Sequence, residues 1–357
     1  MVQLLSRIRT MRKWALTEVN VSDYRRKGYG AVRLRHIGLI LVYGLILVGI
    51  VVGGLIWDRQ GSEETETFGS LTGRFESDIS LAYQGETVHY REHEITNYLL
   101  IGMDREQFAD AGYQDGGQAD FLLVLSVDRR NRTITPVMID RDTMTPVTTY
   151  GIFGNPAGTR TMQICLAQAF SGVDTSGAEN TAQAVSVLLG GVKIDRCLLM
   201  NLGGIALLND SIGGVEVTLE DDLTALDPAL EKGKTVLLTG ELAEHFVRGR
   251  RTVADGTNAS RMLRQQTYIE ALIRRMNDLM ESDQNFLNTV FDSLAGHMET
   301  DTEEKILISE ANAYSKYDWQ PLRMLPGDHV IGGDGFAEFH ADEPAMMDMI
   351  VEVWFQK

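Results

Sequence analysis

Thr133-Ile134-Thr135-Pro136-Val137-Met138-Ile139 runs directly into Asp140-Arg141-Asp142-Thr143. The first seven residues are apolar and β-branched enough to read as a buried strand. At its end an arginine stands between two carboxylates and is followed by a hydroxyl. Ligands of open α/β sheets sit outside the carboxyl ends of strands, so Arg141 occupies a place where chemistry is common. For this motif alone the alternative is a solvated turn with local ion pairs. The rest of the chain decides between them.

Around this stretch the pattern is orderly. Residues 98–102 and 121–127 read as two further buried strands, the second joined to 133–139 by a short turn. Helical periodicity appears at 161–170, 178–189, 203–209 and 242–248. It returns over 259–281, where Met262, Ile269, Leu272 and Met276 fall on one inward face, and again at 285–298, 303–317 and 343–354. Short strands are expected at 197–200, 214–219 and 320–325. Strands interleaved with helices predict an α/β fold, an α/β/α sandwich around a central mixed sheet.

Charge is distributed very unevenly along the 357 residues. Residues 1–35 carry nine Lys/Arg against Glu18 and Asp23, a net of +7, so with −17 overall the remainder carries −24. Residues 37–57 contain no charged residue, and about 20 apolar residues span a bilayer as a helix. The basic flank before them and the acidic flank after them place the N-terminus in the cytoplasm and the bulk outside. A cleaved signal peptide is disfavoured by the long basic region, the long apolar run and the missing A-x-A site. The predicted organisation is a cytoplasmic tail (1–36), one membrane helix (37–57), an acidic stalk or lead-in (58–94) and an extracellular domain (95–357). So acidic an exterior excludes nucleic acid as a partner. Cys165 and Cys197 are too few for a disulfide framework.

Four clusters have the residue types for chemistry: Gly102-Met103-Asp104-Arg105 after a strand, Gln118-Ala119-Asp120 before one, the motif around Arg141, and the basic segments 246–251 and 261–266. In the long helix Arg261 and Gln265 share a face, four residues apart. Several guanidiniums together neutralise a pyrophosphate, and Asp104 and Asp120 are of the type that holds magnesium against phosphates. Arg264, adjacent on that helix, reads as a solvated surface residue.

The order of motifs resembles the LytR-CpsA-Psr family of bacterial cell-envelope glycan transferases. The landmarks are Leu99-Leu100-Ile101-Gly102-Met103-Asp104, Ala119-Asp120, Asp140-Arg141-Asp142-Thr143, Ile212-Gly213-Gly214-Val215-Glu216-Val217, Leu238-Thr239-Gly240-Glu241-Leu242-Ala243, Phe246-Val247-Arg248-Gly249-Arg250, Arg261 through Gln266, and Leu325-Pro326-Gly327. The resemblance covers about residues 95–357. It implies transfer of a glycan (teichoic acid, capsule or a similar polymer) from an undecaprenyl-pyrophosphate carrier to peptidoglycan, at the outer face of the membrane. It implies Mg2+ on Asp104 and Asp120, pyrophosphate contacts from Arg141, Arg248, Arg250, Arg261 and Gln265, catalytic roles for Asp104 and Arg141, and an apolar tunnel for the prenyl chain. The alternatives are a non-catalytic lipid-glycan binding or scaffold protein and a pyrophosphatase. This chain departs from the family pattern at Gln118, where arginine is common, and at Asp140, where proline is usual. Arg105 directly follows Asp104, whereas the family more often has arginine one place later.

Overall fold

The computed structural model describes residues 80–356 apart from 107, 109–116, 152, 173–174, 250–257, 284–285 and 301. The basic tail, the expected span at 37–57 and Arg250 lie outside the described residues. Among the described residues, no helix is long and apolar enough to cross a membrane.

The chain opens with strands β1 (Ser80–Tyr83) and β2 (Glu86–Tyr90), then β3 (Ile95–Met103), β4 (Ala119–Asp128), β5 (Thr133–Ile139), β6 (Met144–Tyr150) and β7 (Pro156–Gln163). Helix α1 (Gly177–Leu188), β8 (Arg196–Met200), α2 (Gly203–Ser211), β9 (Val215–Thr218), β10 (Thr235–Leu238), α3 (Gly240–Arg248), α4 (Asn258–Ser282) and α5 (Phe286–Leu294) follow. The C-terminal part holds β11 (Met298–Thr300), α6 (Glu304–Tyr314), β12 (Asp318–Trp319), β13 (Arg323–Met324), β14 (Gly327–Ile331), β15 (Ala337–Ala341), α7 (Glu343–Trp354) and β16 (Phe355–Gln356).

The central sheet is mixed, in the order β11-β8-β3-β4-β5-β12, with β13 also on β5. Strand β3 pairs antiparallel with β4 and parallel with β8, and β4 pairs antiparallel with β5. Side chains alternate across a strand, so each central strand feeds two cores. Tyr98, Leu100, Leu123 and Leu125 join Leu208 of α2, Phe246 of α3, Leu272 of α4 and Val290 of α5. Leu99, Ile101, Leu122 and Val124 join Val185 of α1 and Ile350 of α7 on the other face. The expected α/β fold with a central mixed sheet is therefore present, with helices on both faces.

Several expected elements differ. The helix read at 161–170 is instead the end of β7 followed by a single 3-10 helix, Ile164–Ala169. The Thr-rich residues of β7 zip onto β6 from Met144↔Gln163 to Tyr150↔Pro156, and this pairing outweighs the helical spacing of a short apolar run. The helix expected through residue 298 stops at Leu294. Gly296 then takes φ +83, a left-handed conformation that ends helices, and Met298–Thr300 pairs with β8. Of the strand expected at 320–325 only Arg323–Met324 (β13) is strand, and a break separates it from β12 just before. The break falls opposite Pro136, and Pro321 sits within it; neither has an N–H for the ladder.

Part of the acidic lead-in forms a β-hairpin. Gln84 and Gly85 both have positive φ, as a two-residue hairpin turn requires, and β16 extends the hairpin β1–β2. Just beyond it Arg91 pairs with Asp128 and donates to Val353 O at 2.7 Å. Burial alone would raise the pKa of Asp128, but donors from Asn131 and Arg91 outweigh it and hold the carboxyl below its ordinary value. A depressed carboxyl pKa stabilises the fold at pH above the unfolded value and ceases to do so as pH falls through the folded one. Asp128→Ala leaves Arg91 buried without its charge partner, so a loss of about 3–5 kcal/mol is expected in denaturant unfolding near neutral pH. That difference should shrink on acidification.

Candidate functional site

Three segments converge where the C-terminal end of β5, the start of β4 and the first turns of α4 meet. Arg141 follows β5 directly, and its Nη1 pairs with Asp120 Oδ1. Its Nη2 donates to Gln118 Oε1 at 2.5 Å, and its Nε lies 3.3 Å from Asp142 Oδ1. Arg261 of α4 approaches the other oxygen of Asp120, with Nη1–Oδ2 at 3.3 Å. Asp142 is 2% exposed and also accepts from Gln163 Nε2 at 3.3 Å. Arg141 is thus held in place by carboxylates on two sides and is no solvated turn residue.

The bulge between Gly102 and Met103 sets the approach of Asp104 to the same point. Asp104 N–H donates to Gln118 O at 3.1 Å, and Asp104 Oδ1 accepts from Gln118 N–H at 2.6 Å. Gln118 therefore links Asp104 to Arg141. Asp104 itself is exposed, open to a substrate hydroxyl or a metal.

Behind Asp120 and Arg261 lies a cavity of about 260 Å³. Its polar lining includes Asp120, Arg248, Arg261 and Gln265; Asp120 touches Arg261, and Gln265 Nε2 donates to Val247 O at 3.3 Å. The remainder includes Leu100, Leu198, Ile205, Leu208, Tyr268 and Leu272. Helix α4 carries this change of character along one face. Residues three or four apart on a helix are surface neighbours, and here they read Asn258, Arg261, Gln265, then Tyr268, Ile269 and Leu272. The polar half lies at the helix N-terminus, whose dipole favours anions. Such a face suits a ligand with an anionic head and an apolar tail.

Other expected residues fall less centrally. Arg248 lines the cavity but pairs with Glu244 and lies 3.5 Å from Glu106. Arg264 is not solvated: it is 5% exposed and donates to the carbonyl of Gly249, the residue that follows α3. Cys165 lies beside Arg141, but burial pushes its thiol up to about 11, which keeps it protonated near neutral pH. Asn258 and His329, both tied to Asp140, were not singled out by sequence reasoning. Asn258 stands three residues before Arg261, a helical spacing that could have marked it.

Among the described residues, no group of three or more His, Cys, Asp or Glu gathers at one point. Magnesium commonly takes only one or two carboxylates, with waters and substrate phosphates completing its shell. Asp104, exposed beside Gln118, and Asp120, whose oxygens meet Arg141 and Arg261, are the carboxylates available for such a shell.

The description "LytR_cpsA_psr family" belongs to a family model that matches residues 65–348. The polyisoprenyl-teichoic acid–peptidoglycan teichoic acid transferase TagU of Bacillus mycoides (strain KBAB4) is 26% identical over 312 residues, 87% of this chain and 94% of that protein. The protein of the same name from Enterococcus faecalis (strain ATCC 700802 / V583) is 26% identical over 290 residues, 80% and 85% of the two chains. Among solved structures, protein gbs0355 from Streptococcus agalactiae aligns with a TM-score of 0.59 at 18% identity, covering 73% of this chain and 87% of that one. TagT of Bacillus subtilis aligns at 0.54 and 18%, covering 74% and 91%. At these identities the structural likeness is one of fold.

Proposed function

This chain belongs to the LytR_cpsA_psr family, and from that membership we propose that it transfers a glycan from a polyprenyl-pyrophosphate carrier to peptidoglycan. The observation that carries the reading is the arginine centre of Arg141 and Arg261 set at the polar end of an apolar cavity. Diphosphate and prenyl chain are the head and tail that this arrangement fits. The relatives named as teichoic acid transferases support a cell-wall polymer as the transferred group.

In this reading Arg141 and Arg261 turn from Asp120 to the diphosphate oxygens, with Arg248 and Gln265 completing the grip and Arg250 joining them. Phosphoryl transfer asks mainly for positioning and charge neutralisation. The acceptor hydroxyl oxygen bonds to the phosphorus that carries the glycan, and the bond from that phosphorus to the bridging oxygen breaks. Polyprenyl phosphate leaves, and the glycan remains on the acceptor through a phosphodiester. Asp104, exposed and next to this point, takes the hydroxyl proton. Magnesium, held by Asp104 and Asp120, would supply further neutralisation of the diphosphate charge. Residues 37–57 would anchor the domain at the outer face of the membrane, with residues 1–36 on the cytoplasmic side.

The metal assignment has its own test. Asp104→Asn is expected to weaken magnesium binding at least about tenfold in calorimetric titration of the full-length protein, as a lost carboxylate ligand weakens metal affinity. An unchanged magnesium affinity in a folded Asp104→Asn protein would remove this residue from the metal site.

A further inference from the structure

Asp140 is 2% exposed, and its carboxylate serves three separate segments. Oδ1 accepts from Asp142 N–H at 2.7 Å and from Asn258 Nδ2 at 2.8 Å. Oδ2 meets His329 Nε2 at 2.7 Å. Asn258, also 2% exposed, presents its amide oxygen to Arg261, whose Nη2 donates at 2.5 Å. A guanidinium only donates and an ionised carboxylate only accepts. Asn258 between them therefore has one satisfactory orientation.

His329 comes from β14, far along the chain. Its ring meets Phe339 of β15 edge-on, with centroids 5.0 Å apart. The same hairpin is tied to the Arg141 motif by Phe339 N–H donating to Asp142 O at 2.8 Å and by a bridge between Thr143 and Phe339. Burying a carboxylate is costly unless its oxygens are filled, and the donors here come from β5's end, α4 and the hairpin. Burial raises the pKa of Asp140, while the Asp142 N–H and His329 act in the opposite direction.

We propose that Asp140, Asn258 and His329 are positioning residues for the diphosphate grip. Asp140 orients the Asn258 amide, Asn258 fixes the Arg261 guanidinium, and His329 fills the remaining oxygen of Asp140 from the β14–β15 hairpin. The inference rests on the reading of Arg261 as a diphosphate ligand, so the experiment keeps the two apart.

The full-length protein in detergent is titrated with farnesyl diphosphate and, separately, with farnesol, which has the same chain without the anion. Arg261→Ala is expected to weaken diphosphate binding by about tenfold or more, the order of a lost charge-assisted hydrogen bond. Asn258→Ala and Asp140→Ala should each weaken it by about tenfold, and His329→Leu by about threefold, each a lost or loosened hydrogen bond. Asp140→Asn should regain most of the affinity, because its amide oxygen still accepts from Asn258 and Asp142. Farnesol affinity should be unchanged in all of them. Adding Asn258→Ala to Arg261→Ala should cost nothing further, since residues acting through one another are non-additive. If Arg261→Ala leaves diphosphate binding intact, the underlying site reading fails. If it weakens binding while Asn258→Ala and Asp140→Ala do not, or if their effects add to it, the positioning role fails. An equal loss of farnesol affinity would show a general structural role instead and would also overturn it.

Discussion

Arg141→Ala is expected to lower kcat/KM for glycan transfer by about 10²–10³-fold, the usual loss when one preorganised charge-stabilising donor is removed. The size follows from the setting of the side chain. Its guanidinium is largely buried and gripped by Asp120 and Asp142 and by Gln118. Arg141→Lys should recover little, since an ammonium cannot bind two phosphate oxygens in the fork geometry of a guanidinium. Removing Arg141 also strips Asp142, 2% exposed, of a charged partner. Thermal unfolding should therefore be measured beside the steady-state kinetics. A folded Arg141→Ala protein with near wild-type kcat/KM would remove this residue from the site.

Leu272→Trp is expected to cut affinity for a long-chain lipid donor by about 10²–10³-fold while leaving inorganic pyrophosphate, which has no chain, nearly unaffected. Leu272 lines the cavity from α4 and is 2% exposed. An indole there takes space that a prenyl chain would use. Burying one five-carbon unit contributes about 4 kcal/mol at roughly 0.8 kcal/mol per carbon, or about a thousandfold in affinity. Overpacking a core position costs about 1–3 kcal/mol in stability, so Ile205→Trp, at a half-buried position on the same cavity, serves as the second variant. Calorimetric titration with C55 diphosphate and with inorganic pyrophosphate separates the outcomes. Equal losses for both, or none, would mean that the cavity does not receive the chain.

Much of this was legible in the sequence because the central strands are buried on both faces. Strand β5 matches its expected limits, and Leu99, Leu100, Leu122 and Leu123 read as continuous apolar runs since each face feeds its own core. The inward stripe of α4 was equally plain: Met262, Ile269, Leu272 and Met276 are all buried. What escaped was set by pairing between distant segments. Nothing local in β7 shows that its Thr-rich residues will zip onto β6, and nothing near Pro136 shows that residues 318–324 will run beside it. The same holds in the site. Arg264 reads as a solvated helix residue until Gly249 O accepts from it, and Asp140 reads as a stray charge until His329 arrives from 189 residues away. The cavity is illegible for a different reason: in a linear chain, Leu100, Leu208 and Leu272 look like any other core leucines.

The most direct measurement of the central claim uses a polyprenyl-pyrophosphate glycan labelled with 32P only at the phosphorus that carries the glycan. Full-length protein in lipid vesicles is incubated with this donor, peptidoglycan and magnesium, and the label is followed. Transfer as described places the label covalently on peptidoglycan, in a phosphodiester, with unlabelled polyprenyl phosphate released in equal amount. Label appearing as a water-soluble glycan phosphate, or staying on the lipid while the folded protein binds it, would contradict that account.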